Sequence, residues 1–363
     1  MRPLKIALDT QAARQQRTGI GMYAAALLQA LMEDGTVAPV AIDWGCDPVM
    51  RVPQRIAWQQ LRLPARARAA HADLLHVTGF DAPLWRPLPT VLTLHDLIGM
   101  LFPQRLPPIA RLYWSRWLPF SVRFADAVIT DSRWARDDIV RLLGLPAERV
   151  TVVPLAADRR FTPQPPAEIA RVRHTLGLPA QMLLYVGTLE PRKGVDTLIE
   201  AWALLANRWP AARLVIAGKK GWYTNELDAL VQRLGLGARV QFTGYIADAD
   251  LPALYAAAHA FSFPSRYEGF GLPPLEAMAC GTPVIVSNAS SLPEVVGDAG
   301  LLVPPDDVAA LAAAIERIFA APDLRAELAQ RGATQAARFS WQRTAQQTIA
   351  VYRDVAQRRG IHL

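Results

Sequence analysis

Cysteine is almost missing from this chain: Cys46 and Cys280 are the only two in 363 residues. Two thiols cannot build a disulfide framework or a thiolate metal site, and so low a count points to a reducing compartment. Long hydrophobic runs are missing too. No uncharged apolar run reaches ~18 residues, so no transmembrane helix is expected. The apolar run at 4–8 is short and ends at Asp9, which excludes a signal-peptide reading. No low-complexity tract, zinc-finger spacing, aromatic RNA-reading pattern or short-period repeat is present, so neither disorder nor nucleic-acid binding is expected. These absences together predict a cytoplasmic protein, peripheral to a membrane at most.

What is present is apolar content and basic charge. Hydrophobic residues make up 52% of the chain, enough for large cores, and the length suits two domains. The formal net charge is +7, mostly through arginine. A basic balance suits phosphorylated substrates or an anionic membrane. The densest basic zone, Arg51, Arg55, Arg62, Arg66 and Arg68, alternates with apolar residues. It reads as a solvated face or as a surface drawn to anionic lipid.

Short β-rich runs alternate with helical patterns. Strands are expected at 5–9, 39–43, 74–77, 90–94, 127–130 and 150–153, and again at 182–186, 213–218, 240–244, 260–263 and 283–287. A helix is expected at 132–143, capped by Asp131 or Ser132, and a last one at 341–358, capped by Ser340. The alternation predicts an α/β fold of parallel sheets covered on both faces. The turn-rich stretch 158–166 separates two doubly wound, Rossmann-like halves. The expected division is 1–160, a linker at 161–180, a second half at 181–340 and a C-terminal helix at 341–363. Ligands of such sheets lie beyond the carboxyl ends of the strands.

The densest chemistry lies at 265–282, SRYEGFGLPPLEAMACGT. Glu268 and Glu276 stand eight positions apart, around a glycine turn and paired prolines. Proline suits a helix's first turn, so a helix is expected from about 273 to Gly281, a good residue just past a helix end. The amides of Gly269, Phe270, Gly271 and Leu272 then lie at the positive end of the helix dipole, beside two hydroxyl-accepting carboxylates. A nucleotide-sugar, with phosphate at its centre and hydroxyls on both sides, fits that layout.

Other motifs support it. Gly187-Thr-Leu-Glu-Pro-Arg192-Lys193-Gly194 sets two cations between a strand and a helix, where they could neutralise a departing diphosphate. A surface turn with solvated charges is the alternative. Gly19-Ile-Gly21 resembles half of a dinucleotide fingerprint. It is read either as a tight turn or as backbone close to phosphate or acceptor. His95 closes a strand, where ligand-facing groups sit, although a lone histidine is also a common structural residue. His76 and His259 are read as structural. Asp248-Ala-Asp250 looks like a metal-binding pair but precedes a helix, so capping explains it and no metal is expected.

These residues resemble the retaining nucleotide-sugar glycosyltransferases of family 4, which have the two-domain GT-B fold. The resemblance covers nearly the whole chain. Its most specific part is Glu268-x7-Glu276, with "LYVGTLEPRKG", "TGIGMYA", "LTLHD" and "VIAGKKGW" in support. The arrangement is most similar to bacterial mannosyl- or rhamnosyltransferases of surface polysaccharide (O-antigen-like) synthesis. The resemblance implies that Glu276 binds donor ribose, Glu268 contacts the donor sugar, and Arg192 and Lys193 hold the diphosphate with the amides of Phe270, Gly271 and Leu272. Gly187 joins that donor side. Tyr245 and Ile246 would lie near the base, His95 would touch the sugar, and Gly19 and Gly21 would line the cleft on the acceptor side. The C-terminal helix would cross back to the N-terminal domain.

The implied reaction transfers a hexose from a GDP-sugar, or a UDP-sugar, to a glycan or lipid-linked acceptor, without a cofactor or metal. Two departures from the family pattern are Gly194, where relatives often carry Asn, and Ala156-Ala157, where they carry Gly-Val. Alternatives are a GT-B-fold epimerase or hydrolase, which needs no acceptor, and a non-catalytic nucleotide-binding scaffold. A dehydrogenase fits least, because the dinucleotide fingerprint is incomplete.

Overall fold

The structure, a computed structural model, describes residues 2–14, 19–45, 52–219 and 223–361. Cys46, Arg51, Thr18 of the first glycine motif and residues 220–222 of the "VIAGKKGW" motif lie outside them. The chain divides into two compact units, residues 1–155 with 340–363, and residues 156–339.

In the first unit, β1 (Leu4–Asp9), β2 (Val37–Ile42), β3 (Leu74–Val77), β4 (Thr90–Thr93), β5 (Ala127–Thr130) and β6 (Val150–Val152) form one sheet in the order β2-β1-β3-β4-β5-β6. In the second, β7 (Gln181–Val186), β8 (Ala212–Ala217), β9 (Val240–Gly244), β10 (Ala260–Phe263), β11 (Val284–Ser287) and β12 (Leu301–Val303) are ordered β12-β11-β10-β7-β8-β9. Every pairing is parallel. β3, β4, β5, β10 and β11 are buried along their whole length, as strands covered on both faces must be, and they are correspondingly rich in Val, Ile, Leu and Phe. The strand order reverses between β1 and β3 in one sheet and between β7 and β10 in the other. Such switch points open a crevice at the strands' carboxyl ends.

Caps fall where the sequence placed them. Ser132 Oγ accepts from the Ala135 amide at 3.0 Å and starts the helix Arg133–Leu143. Ser340 Oγ accepts from Arg343 at 3.2 Å and starts Trp341–Arg358. That last helix belongs to the first unit. It packs on the helix Gly19–Asp34, and Thr344 Oγ1 donates to Pro154 O at 2.7 Å. Tyr352 on the same helix lies 2.6 Å from His76 Nδ1, and His76 Nε2 lies 2.8 Å from Thr93 Oγ1. Burial lowers the affinity of His76 for protons, to a pKa of about 3, so it is a neutral structural bridge.

Two expectations need correction, and some helices were not expected. The stretch 161–180 holds a helix, Pro166–Thr175, inside the second unit. Its sequence has little apolar periodicity, and only Val172 is buried, so pattern reading missed it. The helical runs from Val52 to Ala69 and from Pro108 to Val122 were also unread, because prolines and π-type turns interrupt their periodicity. Asp250 makes no capping hydrogen bond to Leu251–Ala256; it pairs with Arg171 at 2.6 Å, and Asp248 accepts from the Tyr245 hydroxyl at 3.2 Å. In the basic zone Arg62, Arg66 and Arg68 are exposed, as a solvated face requires, and several of these side chains also lie over aromatic rings. Arg55 lies over Phe80 and Tyr113, Arg62 over Trp44 at 4.0 Å, and Arg66 over Trp58. Among the described residues no helix is long and apolar enough to cross a membrane.

Candidate active site

The switch point of the second sheet gathers three charged side chains. The chain leaves β7 at Gly187 and turns through Pro191–Lys193, and it leaves β10 toward Ser265 and Glu268. Lys193 Nζ lies 2.6 Å from Glu268 Oε1, and Arg192 Nη1 lies 3.4 Å from Glu268 Oε2. Arg192 also donates to Tyr267 O at 3.1 Å and to Glu190 Oε2 at 3.0 Å. The Lys193 ammonium stands 5.0 Å from the centre of the Phe263 ring. Burial works against the charge of both partners. It brings Lys193 below its ordinary pKa, with Arg192 adding repulsion. For Glu268, the charges of Lys193 and Arg192 outweigh burial and hold the carboxyl below its usual range. Glu268 is therefore a persistent anion and not a proton donor.

Serines that pattern reading did not single out hold this cluster. Ser265 Oγ lies 2.6 Å from Glu268 Oε1, 3.1 Å from Arg192 O and 3.2 Å from Tyr267 O. Ser290, at φ +52°, accepts from the Glu268 amide at 2.9 Å. Ser291 Oγ donates to Glu268 O at 3.0 Å and lies 2.5 Å from Phe270 O. Local sequence carries no signal for the pairings of Ser265 with Arg192 and of Ser290 and Ser291 with the loop, which span more than twenty residues. Gly194 has a stronger requirement than its loop position suggested. Its φ is +66°, and a Cβ there would stand 2.2 Å from Pro264 O. The turn that carries Lys193 thus packs directly on the backbone leaving β10.

The helix after Glu268 runs Leu272–Ala279, starting one residue earlier than expected, and Gly281 follows at φ +79°. Its second and third residues are Pro273 and Pro274, which donate nothing. The amides at this helix start are therefore those of Gly271 and Leu272, with Phe270 just before them. Gly271 adopts φ +124°, and a Cβ there would come within 2.8 Å of Leu292 Cδ2. Phe270 is buried and meets Phe339 edge-on at 5.9 Å.

Glu276 sits on this helix, buried, and accepts from the Tyr255 hydroxyl at 2.8 Å. Burial pushes its carboxyl up to about 7, against the pull of Tyr255 and of the Arg160 charge. Gly187 donates to Ala217 O, and its own carbonyl lies where a Cβ on Gly218 would stand, 2.0 Å away. Beyond β9, Tyr245 is 71% exposed and Ile246 is buried.

In the first unit, His95 follows β4 and Asp131 follows β5. His95 Nδ1 lies 2.8 Å from Asp131 Oδ2, and the Tyr23 ring meets the imidazole edge-on at 4.7 Å. His95 Nε2 is buried and has no hydrogen-bond partner among the described residues. Burial disfavours a charged imidazole, but Asp131 outweighs it and raises the His95 pKa above the ordinary value. Gly21 lies on the helix Gly19–Asp34, where a Cβ would stand 2.5 Å from Ala12 O; Gly19 has open space. Close packing therefore accounts for Gly21, while nothing in the packing requires Gly19. Among the described residues no group of three or more His, Cys, Asp or Glu side chains could hold a metal ion.

Residues 168–335 match the family described as glycosyl transferases group 1, and residues 18–161 match glycosyltransferase family 4. An O-antigen chain mannosyltransferase B of Escherichia coli is 35% identical over 96% of this chain and all of its own. A serotype-specific mannosyltransferase WbdA of the same species is 33% identical over 72% of this chain, which spans 33% of that longer protein. The solved sucrose-phosphate synthase of Thermosynechococcus elongatus superposes with a TM-score of 0.77 at 27% identity, over 97% of this chain and 99% of its own. Two parallel six-stranded sheets, and such a neighbour along almost the whole length, are the GT-B fold. The chain belongs to the family 4, group 1 glycosyltransferases and is a glycosyltransferase.

Proposed function

We propose that the chain is a retaining, metal-independent mannosyltransferase of surface polysaccharide synthesis, using GDP-mannose, with GDP-rhamnose as the second choice of donor. The observation that carries this reading is the Arg192–Lys193–Glu268 cluster at the switch point between β7 and β10. The full-length likeness to an O-antigen chain mannosyltransferase supports the choice of sugar. The acceptor is a glycan or a lipid-linked saccharide, met in the cytoplasm at a membrane surface.

As the bond from the anomeric carbon to the diphosphate oxygen breaks, negative charge grows on the leaving group and positive charge on the sugar. Arg192 and Lys193 supply the first with fixed cations, in a site where burial strengthens them. The Lys193 ammonium has three donors, of which Glu268 occupies one. The acceptor oxygen bonds to the anomeric carbon on the face the phosphate leaves, and its proton passes to a leaving phosphate oxygen. The amides of Phe270, Gly271 and Leu272 add donors toward the diphosphate, beside Gly187. Glu276 takes the ribose hydroxyls, with Tyr245 and Ile246 beside the base. His95 offers Nε2 to the donor sugar while Asp131 fixes its ring, and Gly19 and Gly21 line the acceptor side.

The test is a product assay with GDP-mannose, GDP-rhamnose and UDP-glucose, each with and without a mannose-terminated soluble acceptor. An α-linked mannosyl product formed only with GDP-mannose and acceptor is expected, and EDTA should leave its rate unchanged. A β-linked product, donor consumption without acceptor, or loss of activity that Mg²⁺ restores would each overturn the corresponding part of the reading.

A further inference from the structure

A cavity of about 410 Å³ in the first unit is lined by Arg86, Arg123, Asp126, Arg149, Arg358 and Arg359. Five guanidinium groups there face one carboxylate. Asp126 accepts from Arg359 Nε at 2.8 Å and lies 3.8 Å from Arg86 Nη1, so its single charge is shared between two arginines. Arg358 pairs with Asp354 at 2.7 Å, but both are well exposed, and such pairs are weak. Arg149 is held by the carbonyls of Arg123 and Ala125, and Arg86 by that of Phe124. Carbonyls orient these groups without cancelling their charge. Counting both aspartates, five cations less two anions leave a surplus of three positive charges on one concave surface.

The cavity is not the donor site. Asp126 and Arg149 precede β5 and β6, whereas His95 and Asp131 follow β4 and β5. It therefore opens at the amino ends of the strands, across the sheet from the ligand-binding edge. Beside it runs the helical stretch from Pro108 to Val122. Tyr113 and Leu118 turn inward, while Ile109 is 73% exposed, Leu112 63% and Phe120 49%. Ile109, Leu112, Arg116, Phe120 and Arg123 are all exposed along this stretch, while Tyr113, Leu118 and Val122 are buried. Arg123 belongs both to that exposed set and to the cavity wall. The Phe120 ring lies 5.2 Å from that of Phe124, which in turn lies under Arg86 at 5.7 Å.

We propose that this surface docks the protein on an anionic bilayer, with lipid phosphates in the arginine cavity and Ile109, Leu112 and Phe120 in the headgroup boundary. Guanidinium forks match phosphate oxygens, and the surplus charge complements an anionic leaflet. A free phosphate would satisfy the arginines but would leave the adjoining apolar side chains in water; a bilayer covers both. The inference gives a location to the membrane contact in the reading above, and its assay needs no turnover, so the two can fail separately.

The test is co-sedimentation with vesicles of phosphatidylglycerol and phosphatidylcholine in about equal parts, against phosphatidylcholine alone. The wild type should bind the anionic vesicles and release them at high salt. Arg123→Gln with Arg358→Gln should weaken binding about 30-fold, and Arg123→Glu with Arg358→Glu by more than that, since each basic residue near the surface contributes about 1 kcal/mol. Ile109→Ser with Leu112→Ser should weaken it as well. Arg233→Glu with Arg331→Glu, in the second unit, makes the same change in net charge and should bind as the wild type does. Unchanged melting temperature and unchanged transfer to a soluble acceptor establish that each variant is folded. Loss of binding by the second-unit control equal to that of the cavity variants would overturn the proposal. So would failure of the wild type to bind anionic vesicles, or pyrophosphate raising the melting temperature through Arg123 and Arg358 without any vesicle binding.

Discussion

Lys193 Nζ and Glu268 Oε1 are 2.6 Å apart, in a pocket where both side chains are about nine-tenths buried. The cation proposed to meet the departing diphosphate therefore has its own counter-ion before any donor arrives. That arrangement lets a charged group wait in a buried site without neutralising itself. It also ties the position of Lys193 to Glu268, Ser265 and the turn at Gly194.

Removing one partner should cost more than removing both. Lys193→Met leaves the buried Glu268 carboxylate with Arg192 at 3.4 Å and the Ser265 hydroxyl at 2.6 Å, and breaking such a pair costs about 3–5 kcal/mol. Lys193→Met with Glu268→Gln should recover part of that loss in urea unfolding, while turnover stays down by ~10²-fold or more in both variants. Strictly additive stability losses would refute the coupling, and near-native turnover in either variant would refute the role of Lys193.

Glu276 predicts a pH signature. Its carboxyl is raised from an ordinary 4.5 to about 7, first by burial. Between those values the folded protein holds more protons than the unfolded chain, so stability falls as pH rises through that window. The stabilising contribution is complete below 4.5 and lost above about 7. Glu276→Gln should remove the slope, so it should gain on the wild type between pH 5 and pH 8 by up to about 3 kcal/mol. Urea unfolding at the two pH values measures this; a difference between the two proteins that does not change with pH would reject it.

Tyr255 should act through Glu276. Its hydroxyl donates to Oε2 at 2.8 Å and favours the charged carboxylate. Tyr255→Phe should raise the Glu276 pKa further and weaken binding of the nucleoside diphosphate about 5- to 10-fold, the cost of one misoriented hydrogen-bonding group. Turnover at saturating donor should change little. Titration calorimetry giving the wild-type Kd would rule this out.

Gly194 and Gly144 make a matched comparison. Both adopt left-handed backbone, φ +66° and +63°, but a Cβ on Gly144 meets nothing within 4 Å, whereas one on Gly194 meets Pro264 O. Gly144→Ala should cost about 1–2 kcal/mol for the backbone conformation alone. Gly194→Ala should cost more and lower turnover, because the Lys193 turn must shift. Asn tolerates the left-handed region, yet its Cβ meets the same carbonyl, so Gly194→Asn should show the clash as well. Equal melting-temperature losses for Gly144→Ala and Gly194→Ala would argue against a close-packed turn.

Much of the fold was legible because its buried strands are short and chemically plain. β3, β5, β9 and β10 lie where apolar, β-branched and aromatic runs placed them, and the serine caps mark their helices through local hydrogen bonds. The helix Pro166–Thr175 was not legible, since it buries one side chain and so carries almost no periodic signal. The Asp248–Asp250 pair misled for a related reason. Acids before a helix are a local cue for capping, but the partner that takes Asp250, Arg171, is 79 residues away and is set by tertiary packing and not by spacing.

The sequence by itself determined two parallel α/β halves, the paired acids eight residues apart and the adjacent cations, because hydrophobic period, glycine turns and motif order are local properties. Only the tertiary structure decided that Glu268 holds Lys193 as a buried ion pair while Glu276 waits under Tyr255, that Ser290 and Ser291 brace the loop, and that five arginines from four segments meet in one cavity. Those pairings join positions 21 to 273 residues apart, and their energies depend on burial and distance, which no local stretch of chain specifies.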